Sequence, residues 1–337
     1  AGPGLIRAAL VLAAAAALLL LFPRRARGRA LLLGALVLVD LWPSSFDYHT
    51  SVRAADLYFE TGVTRFLKAQ GDPYRVLPVG YVLPPATNLP QGIPSVLSYD
   101  ALDDLEQSRF LRQMGGFHEA LFSTVDPEAP RNPRVLELAN VRFLFEEPQA
   151  RRRDVPEERA RSGLELRLVY DAPDGRLYAL AGARPRVWAS GRAEIDPGLG
   201  RFRARLAAQD PSASEVPWVD ASGAPTGGGG PASAVLRSRT SGSMAIDVSA
   251  PAAAWLFVAE GYDRGWRGSV DGIAAPVYRA SGVFCAVPLA AGARHVVLRY
   301  RPASLLAGAV LSALGLVLLA AAARRGARGS GSGLPEP

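Results

Sequence analysis

The twenty residues Ser304–Ala323 carry no charge and run directly into Arg324 and Arg325. Coiled at about 1.5 Å per residue, such a stretch matches the roughly 30 Å hydrocarbon layer of a bilayer. Any fold for this chain must therefore give that segment an apolar environment from end to end. Two further apolar runs lie near the start. Ala8–Phe22 is unbroken, and extending it to Pro3 across Arg7 gives a spanning length if the Arg7 guanidinium reaches back to the interface. Ala30–Val39, continuing through Leu41 and Trp42 with Asp40 between, is shorter and needs a thinner bilayer or partner helices.

The charge pattern orients these runs. The chain has 337 residues, a formal charge of +7 and a single lysine, Lys68. Residues 1–29 hold five arginines (Arg7, Arg24, Arg25, Arg27, Arg29) and no acid, and residues 324–337 hold Arg324, Arg325 and Arg328 against Glu336. The two ends account for the whole net charge, which leaves residues 30–323 neutral. A neutral body with basic ends argues against nucleic acid as a partner and for cytoplasmic arginine clusters beside membrane helices. With Arg24–Arg29 inside, the second helix runs outward, residues after Trp42 lie outside, and the last helix returns to Arg324. A cleaved signal peptide would place its basic residues before the first apolar run, whereas here they follow it.

The external region divides in pattern. From Ser44 to about Ala183 it is mixed: a helix over Asp56–Gln70, a strand at Tyr74–Val79, a proline-rich loop over Leu83–Pro94, a helix over Asp100–Met114 and a helical turn at Pro133–Ala139 leading into strand Val141–Phe145. Asp174-Gly175 joins strands Leu166–Tyr170 and Arg176–Leu180 as a hairpin, and the mixed-charge run Arg151–Arg161 reads as a solvated loop. From Arg186 onward short strands follow one another at Ala234–Thr240, Met244–Ser249, Ala254–Glu260, Trp266–Val270, Ala275–Arg279, Val283–Val287 and Arg294–Tyr300, a β-sandwich spacing. Gly227–Gly230 reads as a flexible loop, since no P-loop lysine or helix start follows it. The expected fold class is a membrane protein with an α+β extracytoplasmic domain followed by an all-β sandwich, two N-terminal transmembrane helices and one at the C-terminus. The boundaries are 1–43 for two helices with a cytoplasmic arginine loop, 44–185 for the α+β domain, 186–302 for the sandwich, 303–323 for the last helix and 324–337 for a cytoplasmic tail.

The residues give little direct chemistry. Cys285 is the one cysteine, so no intrachain disulfide or zinc site arises, and His49, His118 and His295 have no ligand spacing. Of the external acids, Asp103 and Asp104 would point about 100° apart on a helix and make a poor metal clamp. Asp100 reads as a helix cap or a substrate contact. Trp266 and Tyr262 suit either sugar stacking or core filling, and Asp271-Gly272 suits a tight hairpin. Transport is disfavoured, because Arg7 and Asp40 alone offer no polar pathway across three helices.

The segment Gly261–Gly272 (GYDRGWRGSVDG), with Pro288–Pro302 (PLAAGARHVVLRYRP) and the closing helix, resembles the C-terminal region of the bacterial YfhO-type membrane proteins. Tyr262, Gly265, Trp266, Val270, Asp271, Gly272, Gly292, His295, Val297, Tyr300 and Pro302 carry the resemblance. Weaker matches lie upstream at Asn88, Gly92, Ser98-Tyr99-Asp100, Leu138, Asn140-Val141, Arg176-Leu177-Tyr178 and Pro185-Arg186. The resemblance implies a polytopic cell-envelope glycosyltransferase that takes sugar from a polyprenyl-phosphate carrier outside a bacterial membrane. It places the catalytic acid on an early external loop, ahead of most membrane helices. That loop is not represented here, so no catalytic residue is carried over, and the chain reads as part of a longer protein whose upstream transmembrane helices are partners. Residues that would then contact substrate are Asn88, Tyr99, Asp100, Tyr262, Asp263 and Trp266. Expected partners are the lipid bilayer, the polyprenyl-phosphate sugar and an envelope glycopolymer. No cofactor is expected within this chain, while a divalent metal is compatible with the longer protein. The competing expectation is a non-catalytic, membrane-anchored glycan-binding or envelope-assembly module.

Overall fold

The computed structural model describes residues 3–21, 27–48, 53, 59–71, 74–80, 82–83, 87–97, 104–119, 123–126, 131–148 and 163–329. The chain divides into one unit of residues 1–59 and a second of residues 60–337. In the first, α1 (Pro3–Leu21) and α2 (Arg27–Tyr48) touch each other. Their described side chains leave Leu12, Leu20, Leu31 and Val39 exposed. The apolar portions Leu10–Leu21 and Leu31–Trp42 are shorter than a full span; among the described residues one helical stretch, Ala303–Ala322 with mean hydropathy 2.5, is long and apolar enough to cross a membrane.

The second unit begins with α3 (Gly62–Lys68), later than the expected start at Asp56. Thr61 sets that start: its hydroxyl accepts the Thr64 N–H, and the Thr64 hydroxyl accepts the Thr61 N–H, a reciprocal cap. Strand β1 (Arg75–Pro78) follows. The expected loop over Leu83–Pro94 contains a helical turn, α4 (Asn88–Gln91), closed by Gly92 at φ 67°. The next helix, α5 (Leu105–Arg112), starts where Asp104 accepts the Glu106 N–H, so Asp104 caps it and the expectation of a start at Asp100 is corrected. Phe110 and Leu111 are buried, whereas Leu105 is exposed. Hairpin β2 (Phe117–Glu119) and β3 (Ser123–Val125) had no clear sequence signal.

Helix α6 (Pro133–Leu138) opens with Asn132 as cap and Pro133 in its first turn, then delivers β4 (Val141–Glu146). β4 pairs in parallel with β1 and antiparallel with β6 (Gly175–Leu180), and β6 pairs with β5 (Leu166–Ala172), giving the sheet order β1-β4-β6-β5. The Asp174-Gly175 turn closes the β5–β6 hairpin as expected. It also reaches α3, because the Asp174 carboxylate accepts the Val63 N–H at 2.8 Å and the Tyr170 hydroxyl at 2.8 Å. A Cβ on Gly175 would stand 2.4 Å from the Phe145 ring, so only glycine fits there. The expected loop Arg151–Arg161 lies outside the described residues.

Strand β7 (Val187–Ser190) starts a second sheet, followed by the short β8 (Glu194–Ile195), α7 (Gly200–Ala207), α8 (Ser212–Glu215) and β9 (Trp218–Val219). Then come β10 (Ser233–Thr240), β11 (Ser243–Ala250), β12 (Ala254–Val258), β13 (Trp266–Val270), β14 (Ile273–Ala275), β15 (Tyr278–Ala280), β16 (Phe284–Leu289) and β17 (Ala293–Tyr300), and finally α9 (Ala303–Gly329). The expected strand Ala275–Arg279 is two, β14 and β15, in different sheets. One sheet has the order β10-β11-β17-β13-β14 and the other β7-β12-β16-β15-β9-β8. They stack on a core of Met244, Ile246, Leu256, Val258, Cys285, Val287, Val296 and Leu298. The opposite face of the second sheet offers Trp255, Phe257, Phe284 and Ala286 to another core, shared with Leu77, Leu144 and Tyr178 of the first sheet and with α5, α6 and α7. This explains the sequence of β12, AWLFV: both faces are buried, so the run is continuously apolar. β11 and β17 alternate because one face meets solvent.

The Gly227–Gly230 run, expected as a flexible loop, is pinned. Gly228 N–H bonds Ala253 O at 2.7 Å and Gly229 N–H bonds Gly191 O at 2.9 Å. A Cβ on Gly191 would lie 1.9 Å from Gly230 O, so the two backbones touch.

Phe257 is fully buried in the shared core, against Trp188 and Phe284. Phe257→Ala is expected to cost about 3–5 kcal/mol. Because the core joins residues on both sides of position 186, chemical denaturation should show one cooperative transition moved to lower denaturant, not a split into two.

Candidate functional site at the Glu260–Trp266 corner

The chain leaves β12 through Glu260 and re-enters the opposite sheet at Trp266. Three arginines meet the Glu260 carboxylate, each from a different place in the fold. Arg186, just before β7, approaches with Nη2 at 2.7 Å and Nε at 3.0 Å; Arg239 of β10 donates from Nε at 3.0 Å; Arg75 of β1 lies at 3.8 Å. The Arg186 side chain is 2 % exposed and that of Glu260 17 %. Burial by itself would raise the Glu260 pKa, but Arg186, Arg75 and Arg239 together hold it below the ordinary 4.5. Burial, with repulsion from Arg186, pushes Arg75 down to about 9, which still leaves it charged at neutral pH. Burial likewise lowers Arg186, and Glu260 opposes that fall. Arg186 Nη1 is buried and has no hydrogen-bond partner among the described residues.

A cavity of about 130 Å³ adjoins the cluster, lined by Arg75 and Gly261 among apolar neighbours such as Leu97, Phe110 and Phe284. A larger trough, about 1310 Å³, runs along β5 past Phe66, Arg142, Glu165, Arg167 and Leu168.

Beyond Glu260 the corner is aromatic. Tyr262 is half-buried against the core between the stacked sheets, and its N–H bonds Val283 O at 2.7 Å. Asp263 Oδ1 accepts the Gly265 N–H at 2.6 Å. Trp266 donates from Nε1 to Gly261 O at 3.0 Å and packs on Tyr300 with ring centroids 5.3 Å apart. Partial burial and the neighbouring Asp263 carboxylate raise the Tyr300 pKa. A Cβ on Gly265 would fall 2.8 Å from both Asp263 Oδ1 and Tyr300 Cε2 and 3.1 Å from the Pro302 backbone. That contact makes Gly265 necessary to the corner. Asp271 and Gly272 adopt φ 50° and 83° and form the tight β13–β14 turn.

Of the residues expected to contact substrate, Tyr262, Asp263 and Trp266 are therefore neighbours at this corner. Asn88 is buried elsewhere and uses its side-chain N–H on Ile93 O at 2.9 Å, which holds the α4 turn. Tyr99 and Asp100 lie outside the described residues, as does Asp103. His118 and His295 each face one carboxylate, Asp126 at 2.8 Å and Asp247 at 2.7 Å, and among the described residues no group of three potential metal ligands forms. The buried ion cluster escaped sequence reading because Arg75, Arg186, Arg239 and Glu260 have no spacing in common. Only the lone acid ending an apolar strand, Glu260 after AWLFVA, hinted at a buried counter-charge.

Removing Glu260 leaves Arg186 buried without its counter-ion, so Glu260→Gln is expected to cost about 3–5 kcal/mol. A carboxylate with a depressed folded pKa stabilises above its unfolded pKa and loses that contribution as pH falls through the folded one. The stability gap between wild type and Glu260→Gln should accordingly be full at pH 7 and shrink below pH 4.5, the ordinary value, as read by thermal unfolding across pH.

Comparisons with curated proteins and with solved structures gave no match. Residues 232–312 match the family model described as bacterial membrane protein YfhO, a stretch that begins just before β10 and ends inside α9. Over these residues the chain is similar to the YfhO-type membrane proteins, the family its motifs resemble.

Proposed function

We propose that the chain is the extracytoplasmic and terminal membrane portion of a cell-envelope glycosyltransferase that uses a polyprenyl-phosphate-linked sugar. The observation that carries this reading is the YfhO-type match across the stacked sheets and into α9, where β17 passes into a helix of spanning length with two residues between. On this reading α1 and α2 also cross the membrane, the loop Arg24–Arg29 and the tail after Arg324 face the cytoplasm, and residues 44–302 lie outside. Reaction chemistry belongs to an upstream part of the longer protein, and this chain helps to present donor or acceptor. The engaged state of Asp104, as a helix cap, and of Asp263, as a turn acceptor, fits a supporting role. It equally fits the second reading, a non-catalytic anchored module that binds an envelope glycan.

Topology is tested by single cysteines in intact cells, with the buried Cys285 as silent background. An impermeant maleimide should label Ser241→Cys directly, and Ala26→Cys and Ser332→Cys only after permeabilisation; the reverse pattern rejects the orientation. Function is tested by adding a polyprenyl-phosphate sugar to membranes bearing the longer protein. Transfer to an envelope polymer supports the enzyme reading, whereas glycan binding without transfer supports the module.

A further inference from the structure

The outer face of β13 and β17 carries a groove of about 470 Å³, lined by Arg267, Arg299, Arg301, His295, Ser269 and Val297, with Gly268 and Gly272 at its margin. Alternation places these side chains outward: Val296 and Leu298 are buried, while Arg299 and Arg301 are exposed. Arg267 stands directly opposite Arg299 in the β13–β17 register. Like charges facing each other across a strand pair destabilise it unless an anion lies between. The acids nearest along the strands are already engaged. Asp247 holds Arg237 and His295, and Asp271 accepts the Arg294 and His295 N–H groups. No carboxylate lines the groove. Among the described residues the Arg267 guanidinium donates to Arg264 O at 2.7 Å and to Trp266 O at 3.2 Å, carbonyls that leave its charge uncompensated.

Position supplies the second argument. α9 begins at Ala303, two residues after Arg301. At a maximum of about 3.6 Å per residue, the Arg301 Cα lies within about 7 Å of the helix start and that of Arg299 within about 14 Å. A headgroup layer adds only about 5–8 Å on each side of the hydrocarbon. Trp266 and Tyr300, packed together at a tilt beside the same strand end, are the amphipathic aromatics that settle at this depth.

We propose that the groove of Arg267, Arg299 and Arg301 seats the phosphate headgroup of an anionic bilayer lipid, holding the stacked sheets against the leaflet surface. The inference rests on α9 lying in the membrane, as proposed above, and on nothing else in that reading. Paired guanidinium forks suit phosphate oxygens, and the attraction screens with a Debye length of about 8 Å at physiological salt.

The test uses the full chain in nanodiscs of phosphatidylcholine with a minority of phosphatidylglycerol, followed by native mass spectrometry of retained lipid. Wild type should enrich phosphatidylglycerol over its bulk share by about fivefold or more at low salt, with the enrichment falling as salt rises. The Arg267→Gln/Arg299→Gln/Arg301→Gln variant should return to the bulk ratio while its thermal unfolding stays unchanged. Equal enrichment in both proteins overturns the proposal, as does displacement of the lipid by millimolar inorganic phosphate, which would mark a free-phosphate site. Release of wild type from membranes by alkaline carbonate would instead reject the anchoring by α9, a distinct failure.

Discussion

The fastening of the end of β17 decides how the folded unit and its last helix relate. Tyr300 N–H bonds Gly242 O at 2.9 Å on one side, and Arg301 N–H bonds Gly265 O at 2.8 Å on the other. Trp266 and Asp263 close over Tyr300, Pro302 then interrupts the ladder because it has no N–H to give, and α9 starts at Ala303. The helix thus issues from a strand held on both sides to within two residues of its first turn. The Tyr-x-x-Gly-Trp motif has its physical meaning here: Gly265 is the only residue that lets Tyr300 and Pro302 come so near.

Behind that junction, the Glu260 cluster ties the sheets together. Arg75 belongs to the first sheet, Arg239 to the outer stacked sheet, and Arg186 and Glu260 flank strands of the inner one. Such a buried ion group adds little net stability compared with apolar packing, but it tolerates few alternative arrangements. The double-faced β12 does the complementary apolar work, contributing Leu256 and Val258 to one core and Trp255 and Phe257 to the other.

Much of this was legible in the sequence wherever local chemistry decides structure. The hairpin at Asp174-Gly175, the Asp271-Gly272 turn, the helical turn at Pro133 and the strands β10, β11 and β17 follow from turn residues and alternation. What escaped depends on distant partners. α7 has a sequence of alternating arginines, GRFRARLA, whose burial rests on Phe202 and Leu206 meeting a core assembled elsewhere. The split between β14 and β15 reflects sheet exchange, which a single apolar run does not encode. At the corner, Tyr262, Asp263 and Trp266 lie within five residues of one another and so are neighbours in the sequence itself, whereas Arg75, Arg186 and Arg239 come together only in three dimensions.

Hydrogen–deuterium exchange of the full chain in lipid nanodiscs examines the junction most directly. A unit held rigidly to its last helix should protect the Tyr300 and Arg301 amides as strongly as those of Val296 and Leu298 in the same strand. Exchange at Tyr300 and Arg301 at the rate of free chain, with Val296 and Leu298 still protected, would mean that the stacked sheets hang from a loose tether, and the account of the junction would be wrong.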